Sequence, residues 1–427
     1  MQYTPAIVVV GYERAGSLKR LLKSLSAAGY PDMNIPLVIS LDGGGTREVR
    51  DIAQAFRWTH GDMRLLLRAD QMGLKQHILS CGDLTHEYGS IIMLEDDLYV
   101  SPEFYSYASA ALSFTETDPS VAGVSLYNHR FQVFARLPFE PIDDGYDNWY
   151  FQLASSWGQA WTEDQWEDFR SWLSVHDGED LHGNGMPSNA AEWGESSWLK
   201  YAIKYLIQTR RFFLYPRISY TTNFFDEGEH TVNAVTDLQV PLRMGPSRAY
   251  HFSHTQESGA RYDAYFENMD LPGQADLYGL KVRDGNIRMA GKSERKEENG
   301  KGRQQNQLFS TSLLPYRIIR SYGLKLRPME ANILLSIPGR DIFLYDLTSP
   351  LAPRKPKGPL SYLHSLRPGK KAASGRRSEV LPGENPNPGL LERYFYPGLN
   401  RKRITSLVRN GAAERIKQLK TRDGKRK

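Results

Sequence analysis

The stretch Ser90–Phe104 reads SIIMLEDDLYVSPEF. Four apolar residues, Ile91 to Leu94, run into three carboxylates, Glu95, Asp96 and Asp97, and an apolar segment resumes at once with Leu98, Tyr99 and Val100. A short continuous apolar run marks a strand buried on both faces. Three adjacent carboxylates at the end of such a strand repel one another, and left unpaired in a cleft they are costly. A divalent cation with oxygen ligands removes that cost. Mg²⁺ and Mn²⁺ take few protein carboxylates and complete their shells with water and phosphate oxygens. The alternative is a solvated acidic turn, against which the immediate return to Leu-Tyr-Val argues.

The residues before this stretch alternate strand and helix patterns. Ala6–Val10 (AIVVV) is a continuous apolar run, and Leu18, Leu21, Leu22 and Leu25 follow at helical spacing with Ser17 as a candidate N-cap. PLVISLD, ending at Asp42, reads as a second strand, Thr46 to Phe56 as a helix, MRLLLRAD as a third strand and Lys75 to Tyr88 as another helix. Repeated βα units imply a parallel sheet with right-handed crossovers. Ligands of such sheets sit beyond the carboxyl ends of the strands. Glu13, Arg14, Asp42, Asp70 and Glu95–Asp97 all fall at those ends.

The chain of 427 residues is 40% hydrophobic and 11% aromatic, ample for a core. No segment approaches the roughly 18 apolar residues that a membrane span needs, and the N-terminal MQYTPAIVVVGYERAG lacks the pattern of a signal peptide. The one cysteine, Cys81, excludes an internal disulfide; a cytoplasmic location is expected. From Leu351 onward, 20 Lys/Arg face 5 Asp/Glu, a charge of +15 that leaves −10 for the rest of a chain whose net charge is +5. An acidic body with a basic tail is not the footprint of a nucleic-acid enzyme. It suits contact with an anionic surface, a peripheral membrane contact or another polymer. Residues 284–307 are charged and poor in apolar side chains, as an exposed linker is, and beyond Ser349 the pattern supports only a basic helix near Ala412–Lys420.

The run IIMLEDDLYVSPEFYSYASAAL resembles the metal-binding segment of the N-acetylglucosaminyltransferase I family, inverting nucleotide-sugar-dependent glycosyltransferases of the GT-A fold. PAIVVVGYERAGSLKRLLKSL and PLVISLDGG resemble the family's first two strands, and DPSVAGVSLYN, SSWGQAWTEDQWEDF, EWGESSW and YPRISYTTNFFDEGEH follow in its order. The resemblance covers roughly Pro5 to His254. It implies an α/β, mostly parallel sheet flanked by helices, with residues 1–255 as the catalytic domain. Composition beyond the resemblance divides the rest into an extension, 256–348, expected to pack on that domain, and a basic Pro/Gly-rich tail, 349–427, expected to be partly disordered.

The resemblance also implies roles. Asp97 matches the residue that coordinates Mn²⁺ or Mg²⁺, Glu95 and Asp96 match positions near the ribose and donor sugar, and Arg14 matches a basic residue near the nucleotide diphosphate. Asp42 matches the carboxylate that hydrogen-bonds uracil, and Trp157 and Gly158 match a stretch that closes over the donor sugar. NFFDEGEHTVNAV, with Asp226, Gly228 and Glu229, matches a segment that orders over bound donor. The residues themselves leave other readings open: a cap for Asp42, a surface salt bridge for Arg14, a core aromatic for Trp157. The family's two consecutive aspartates between tryptophans are absent from Trp193–Trp198, where Glu195 is the nearest carboxylate and the candidate catalytic base, with Glu192 in reserve. Glu195 as a helix N-terminal charge is the alternative. His251 and His254 read as structural.

The expectation is a glycosyltransferase of the hexosyl or N-acetylhexosaminyl type. It takes a nucleotide-sugar donor, a UDP-sugar, and a glycan or lipid-linked acceptor in cell-surface polysaccharide synthesis. A nucleotidyltransferase would carry a Gly-rich, Lys/Arg-bearing loop after the first strand, of which GYERAGS is a poor version. A non-catalytic sugar-binding or scaffold derivative is the third reading, raised by the altered base motif.

Overall fold

The computed structural model describes residues 3–31, 33–224, 238–287 and 306–351. Strands β1 (Ala6–Gly11), β2 (Leu37–Leu41), β3 (Met63–Leu67) and β4 (Ser90–Glu95) lie parallel in the order β3-β2-β1-β4. Every residue of β1 is buried, and β4 is buried up to Leu94. Side chains alternate between faces along a strand. Ala6, Val8 and Val10 therefore enter one hydrophobic core, while Ile7 and Val9 enter the other. Each fully buried aliphatic side chain contributes about 1.5–3 kcal/mol, so β1 is held from both sides.

The connections are α1 (Ala15–Ser26), α2 (Arg47–Ala55), α3 (Leu74–Gly82) and α4 (Thr85–Tyr88). Thr46 caps α2, its hydroxyl accepting from the Val49 amide. Two local expectations differ. Helix α1 begins at Ala15 with Arg14 at its N-cap, so Ser17 is buried inside the first turn instead of capping it. The Lys75–Tyr88 helix is broken into two. Gly82 lies under the Trp166 indole, where a Cβ would come within 1.9 Å of the ring. The Asp83 carboxylate accepts from Trp166 Nε1 and Arg170 Nε, both at 2.9 Å, and this tertiary anchor ends α3.

Beyond β4 come β5 (Leu98–Val100), α5 (Phe104–Thr115), β6 (Val121–Ser125), the small hairpin β7 (Phe131–Gln132) and β8 (Leu137–Pro138), β9 (Asn148–Phe151) and β10 (Gln159–Thr162). Then follow α6 (Glu163–His176), α7 (Ser188–Ala191), α8 (Trp198–Thr209), β11 (Phe212–Pro216), β12 (Thr221–Asn223) and β13 (Arg261–Tyr262). The main sheet has nine strands in the order β3-β2-β1-β4-β10-β6-β11-β9-β13. Five of its eight pairings are parallel. This is the mostly parallel α/β sheet that was expected. Strand β10 is antiparallel to β4 with Gln159 opposite Met93, so Trp157 and Gly158 arrive at the end where β4 delivers its carboxylates. Strand β5 leaves the main sheet and pairs with β12.

A second sheet, β14 (Gln274–Asp276), β15 (Gln307–Ser310), β16 (Tyr316–Tyr322) and β17 (Ile342–Pro350), has the order β14-β15-β17-β16. The expected linker at 284–307 does not begin as exposed chain. Asp284 is packed, its carboxylate accepting from the Ser188 amide at 2.9 Å and the Tyr265 hydroxyl at 3.0 Å, because it closes the turn before α7. Most of that linker, Asp226, Gly228 and Glu229, and the basic tail, including the helix expected near Ala412–Lys420, lie outside the described residues. Among the described residues no helix is long and apolar enough to cross a membrane.

Candidate active site

Parallel pairing of β1 with β4 brings Val10 beside Glu95, so the turn after β1 and the acidic end of β4 meet. Arg14 stands at that turn as the N-cap of α1. Its Nη1 donates to Asp97 Oδ2 at 2.9 Å and its Nη2 donates to Asp96 Oδ1. Asp96 is 3% exposed and Asp97 9%, which excludes the solvated acidic turn. Among the described residues no group donates to one buried oxygen of the cluster, Asp97 Oδ1. A buried carboxylate oxygen without a donor costs several kcal/mol unless something meets it.

The electrostatics follow from this crowding. Burial, then the charges of Asp97 and Asp96, push the Glu95 carboxyl up to about 8. Burial raises Asp96 to about 6, with Arg14 pulling the other way. Burial opposes the Arg14 charge, but Asp96 and Asp97 outweigh it and raise its affinity for the proton. A site that disfavours its own negative charge is completed by a cation.

Asp42, at the end of β2, is buried and spends its carboxylate on backbone. Oδ1 accepts from the Gly43 and Met72 amides at 2.9 and 2.8 Å, and Oδ2 accepts from Gly73 at 3.0 Å. It therefore ties the loop after β3 to the sheet, and three of its about four acceptor sites are taken. Met72 and Gly73 in turn line a cleft of about 510 Å³ together with Leu74, Lys75, Asp177 and Glu195. Another cavity, of about 570 Å³, runs along α5 past Tyr30, Glu103 and Ser109, away from these carboxylates.

Glu195 stands on the rim of the first cleft, its side chain 81% exposed. Lys200 Nζ donates to Oε1 at 2.8 Å, and the Tyr201 hydroxyl approaches Oε2 at 3.3 Å. The Lys200 hydrogen bond and charge lower its pKa. These bonds belong to α8 and not to the acidic cluster. Glu192 is exposed at the end of α7. The cap of α8 is Ser197, whose hydroxyl accepts from the Lys200 amide at 3.4 Å.

Trp157 is half-buried, its ring 4.7 Å from that of Tyr127 at 62°. Gly158 has φ +97, and a Cβ there would lie 2.8 Å from Thr221 Cγ2, so only glycine fits the turn into β10. His254 rests against Phe114 and near Asp118, and His251 lies beside Tyr146 and Asp147.

Two lysines, Lys75 in the cleft and Lys200 behind its rim, escaped sequence reasoning. Lys75 is buried, pairs with Asp177 and lies 4.2 Å from the centre of the Tyr201 ring. Lys200 is buried behind Glu195. Their signal was a lysine at helical spacing among apolar residues, as at Lys75, Ile78, Leu79 and Gly82.

The profile of the GNT-I family matches residues 76–133, which include the end of β4 and all three carboxylates. Over this segment the chain resembles the GNT-I family. An alpha-1,3-mannosyl-glycoprotein 2-beta-N-acetylglucosaminyltransferase of Arabidopsis thaliana is 25% identical over 193 residues. The alignment takes in 40% of this chain and 43% of that relative, so the chain spans less than half the length of the protein it matches. Solved structures with a likeness include S. aureus TarS 1–349 in complex with UDP-GlcNAc, at 13% identity and a TM-score of 0.36, covering 54% of this chain and 61% of that one. Another is the mannosyltransferase PcManGT of Pyrobaculum calidifontis with GDP-Man and Mn2+, at 16% identity and a TM-score of 0.27, covering 40% and 47%.

Proposed function

We propose that this chain is a metal-dependent, inverting glycosyltransferase of the hexosyl or N-acetylhexosaminyl type. It moves a sugar from a UDP-sugar to a hydroxyl of a glycan or glycolipid acceptor in cell-surface polysaccharide synthesis. The observation that carries the reading is Asp97 just after β4, within the segment that resembles the GNT-I family, with Oδ1 buried and without a donor among the described residues. A hard oxygen donor of this kind fits Mg²⁺ or Mn²⁺. Among the described residues no three His, Cys, Asp or Glu side chains converge as a metal cage, which agrees with an ion that takes most of its ligands from water and phosphates.

Asp97 is the residue proposed to hold the cation. A bound cation would supply Lewis-acid neutralisation of the charge on the leaving diphosphate. Arg14 binds the diphosphate with its planar fork. Glu95 and Asp96 face the ribose and donor sugar, and Trp157 with the Gly158 turn covers the sugar. Asp42 holds the Met72–Gly73 loop and has acceptor capacity left for a base N–H. Glu195, kept ionised by Lys200, takes the acceptor hydroxyl proton on the opposite face of the sugar, and a single displacement inverts the anomeric centre. The basic tail, by charge alone, is proposed to place the protein at the cytoplasmic face of an anionic membrane. Co-sedimentation of the full chain, but not of residues 1–351, with anionic vesicles at low salt checks that part.

The deciding experiment incubates the protein with UDP-, GDP- and dTDP-sugars and MnCl₂ and follows release of nucleoside diphosphate. Metal-dependent release of UDP is expected. A nucleotidyltransferase would instead release pyrophosphate from a nucleoside triphosphate, and a sugar-binding scaffold would release nothing.

A further inference from the structure

Arg14 occupies the place where a cation is wanted. Its guanidinium bridges Asp96 and Asp97, on a backbone fixed by the start of α1, where Arg14 O accepts from the Leu18 amide at 3.0 Å. Its side chain is 27% exposed. Among the described residues, Asp97 thus has one oxygen bound to Arg14 and the other without a donor.

We propose that Arg14 is the resident counter-ion of the β4 carboxylates, displaced from Asp97 by the divalent cation and received by the diphosphate of the incoming nucleotide, so that metal and nucleotide bind cooperatively. The proposal rests on Asp97 as the metal-holding residue. The free Asp97 Oδ1 would take a divalent cation at about 2.1 Å, while Oδ2 of the same carboxylate already accepts from Nη1 at 2.9 Å. One carboxylate would then serve two cations, which repel each other in a site this buried. Of the two, the arginine is on a flexible stem and is the one able to move. Moving it alone strands Asp96, which is 3% exposed and otherwise loses its charged partner. A diphosphate offers the same bidentate geometry as a pair of carboxylates. With the nucleotide present, Arg14 has somewhere to go. Without it, metal binding works against the ion pair. Such linkage is reciprocal: whatever factor nucleotide adds to metal affinity, metal adds to nucleotide affinity.

Calorimetric titration of the full chain with MnCl₂, alone and with saturating UDP, tests this in wild type, Arg14→Gln and Arg14→Lys. Arg14→Gln should bind Mn²⁺ alone about 10-fold more tightly than wild type, and the gain on adding UDP should shrink by a similar factor. Comparing proteins cancels the association of Mn²⁺ with UDP in solution. Arg14→Lys, which keeps the charge and loses the fork, should fall between the two. It carries the comparison if circular dichroism finds Arg14→Gln unfolded, and Mn²⁺ affinity equal to wild type would then overturn the proposal. Mn²⁺ binding to Arg14→Gln that is no tighter than to wild type, or an unchanged gain from UDP, overturns the role of Arg14 while leaving Asp97 in place. Absence of Mn²⁺ binding in all three proteins, with and without UDP, overturns both.

Discussion

Two acidic regions of this protein use the same functional group in opposite settings. At the end of β4, Asp96 and Asp97 are buried against Arg14, and crowding raises Glu95 and Asp96. At the head of α8, Glu195 projects into solvent and a lysine holds it ionised. The difference begins in the elements. A central strand of a parallel sheet ends inside the protein, between its neighbours, and carries whatever follows it into a cleft. A helix N-terminus reached through a turn such as Gly194–Ser196 ends at the surface. The first setting makes a carboxylate demand a cation. The second makes it an accessible acceptor of hydrogen bonds and, in the reading proposed above, of a proton.

The contrast breaks first at Asp97. Asp97→Ala should lower kcat/KM by about 10³-fold or more, on the scale of losing a principal electrostatic group, and should abolish metal-dependent donor binding with the fold retained. Donor affinity that still responds to Mn²⁺ in the variant would remove Asp97 from the site. Next, Glu195→Gln should cost about 10²-fold in kcat, the usual scale for a general base, with donor affinity unchanged. If kcat stays near wild type, Glu195 is the surface partner of Lys200 and nothing more, and Glu192 becomes the candidate.

Asp42→Ala sharpens the comparison from a third position, a buried carboxylate satisfied by amides instead of a cation. Removing it leaves three backbone N–H groups without their acceptor, which costs about 1–3 kcal/mol for each that stays unsatisfied. Chemical denaturation should register the loss, and donor KM should rise more than kcat falls. A fall in kcat alone would detach the Met72–Gly73 loop from donor binding.

The smallest effect concerns a buried carboxyl that meets a tyrosine hydroxyl. Burial raises Glu330 to about 7, and the Tyr262 hydroxyl donates to it. Its folded value lies above the ordinary 4.5, so the folded state holds the proton more tightly. The stabilisation is therefore complete below about pH 4.5 and is lost as pH rises through 7. Within that window wild type should lose about 1 kcal/mol of stability per pH unit from this group. Glu330→Gln, which keeps an acceptor for Tyr262, should flatten that slope in denaturation curves between pH 5 and 6.5. An unchanged slope would place the titration elsewhere.

Several features were legible before any fold was known, and they share a cause. AIVVV and SIIML are buried strands because a two-sided sheet demands an unbroken apolar run, and the carboxylates follow because the chain meets solvent or ligand where that run stops. Asp42 and Glu95–Asp97 were placed at strand ends by the same local rule. The helix over 75–88 was misjudged because its interruption is imposed by Trp166 and Arg170, more than 80 residues away in sequence. Ser17 was misjudged because capping depends on backbone angles that composition leaves undecided.

Hydrophobic periodicity is a local property, and it is enough to specify the parallel first half, the succession of its strands along the chain and the acidic end of β4. Only the tertiary structure decided what those acids meet. Arg14 reaches Asp97 across 83 residues, Asp42 binds amides 30 and 31 residues on, and Gly158 must be glycine because Thr221 stands against it. Partners of buried polar groups are set by which segments the sheet brings together. The free energy at stake, desolvation against charge pairing, exists only once they are brought together.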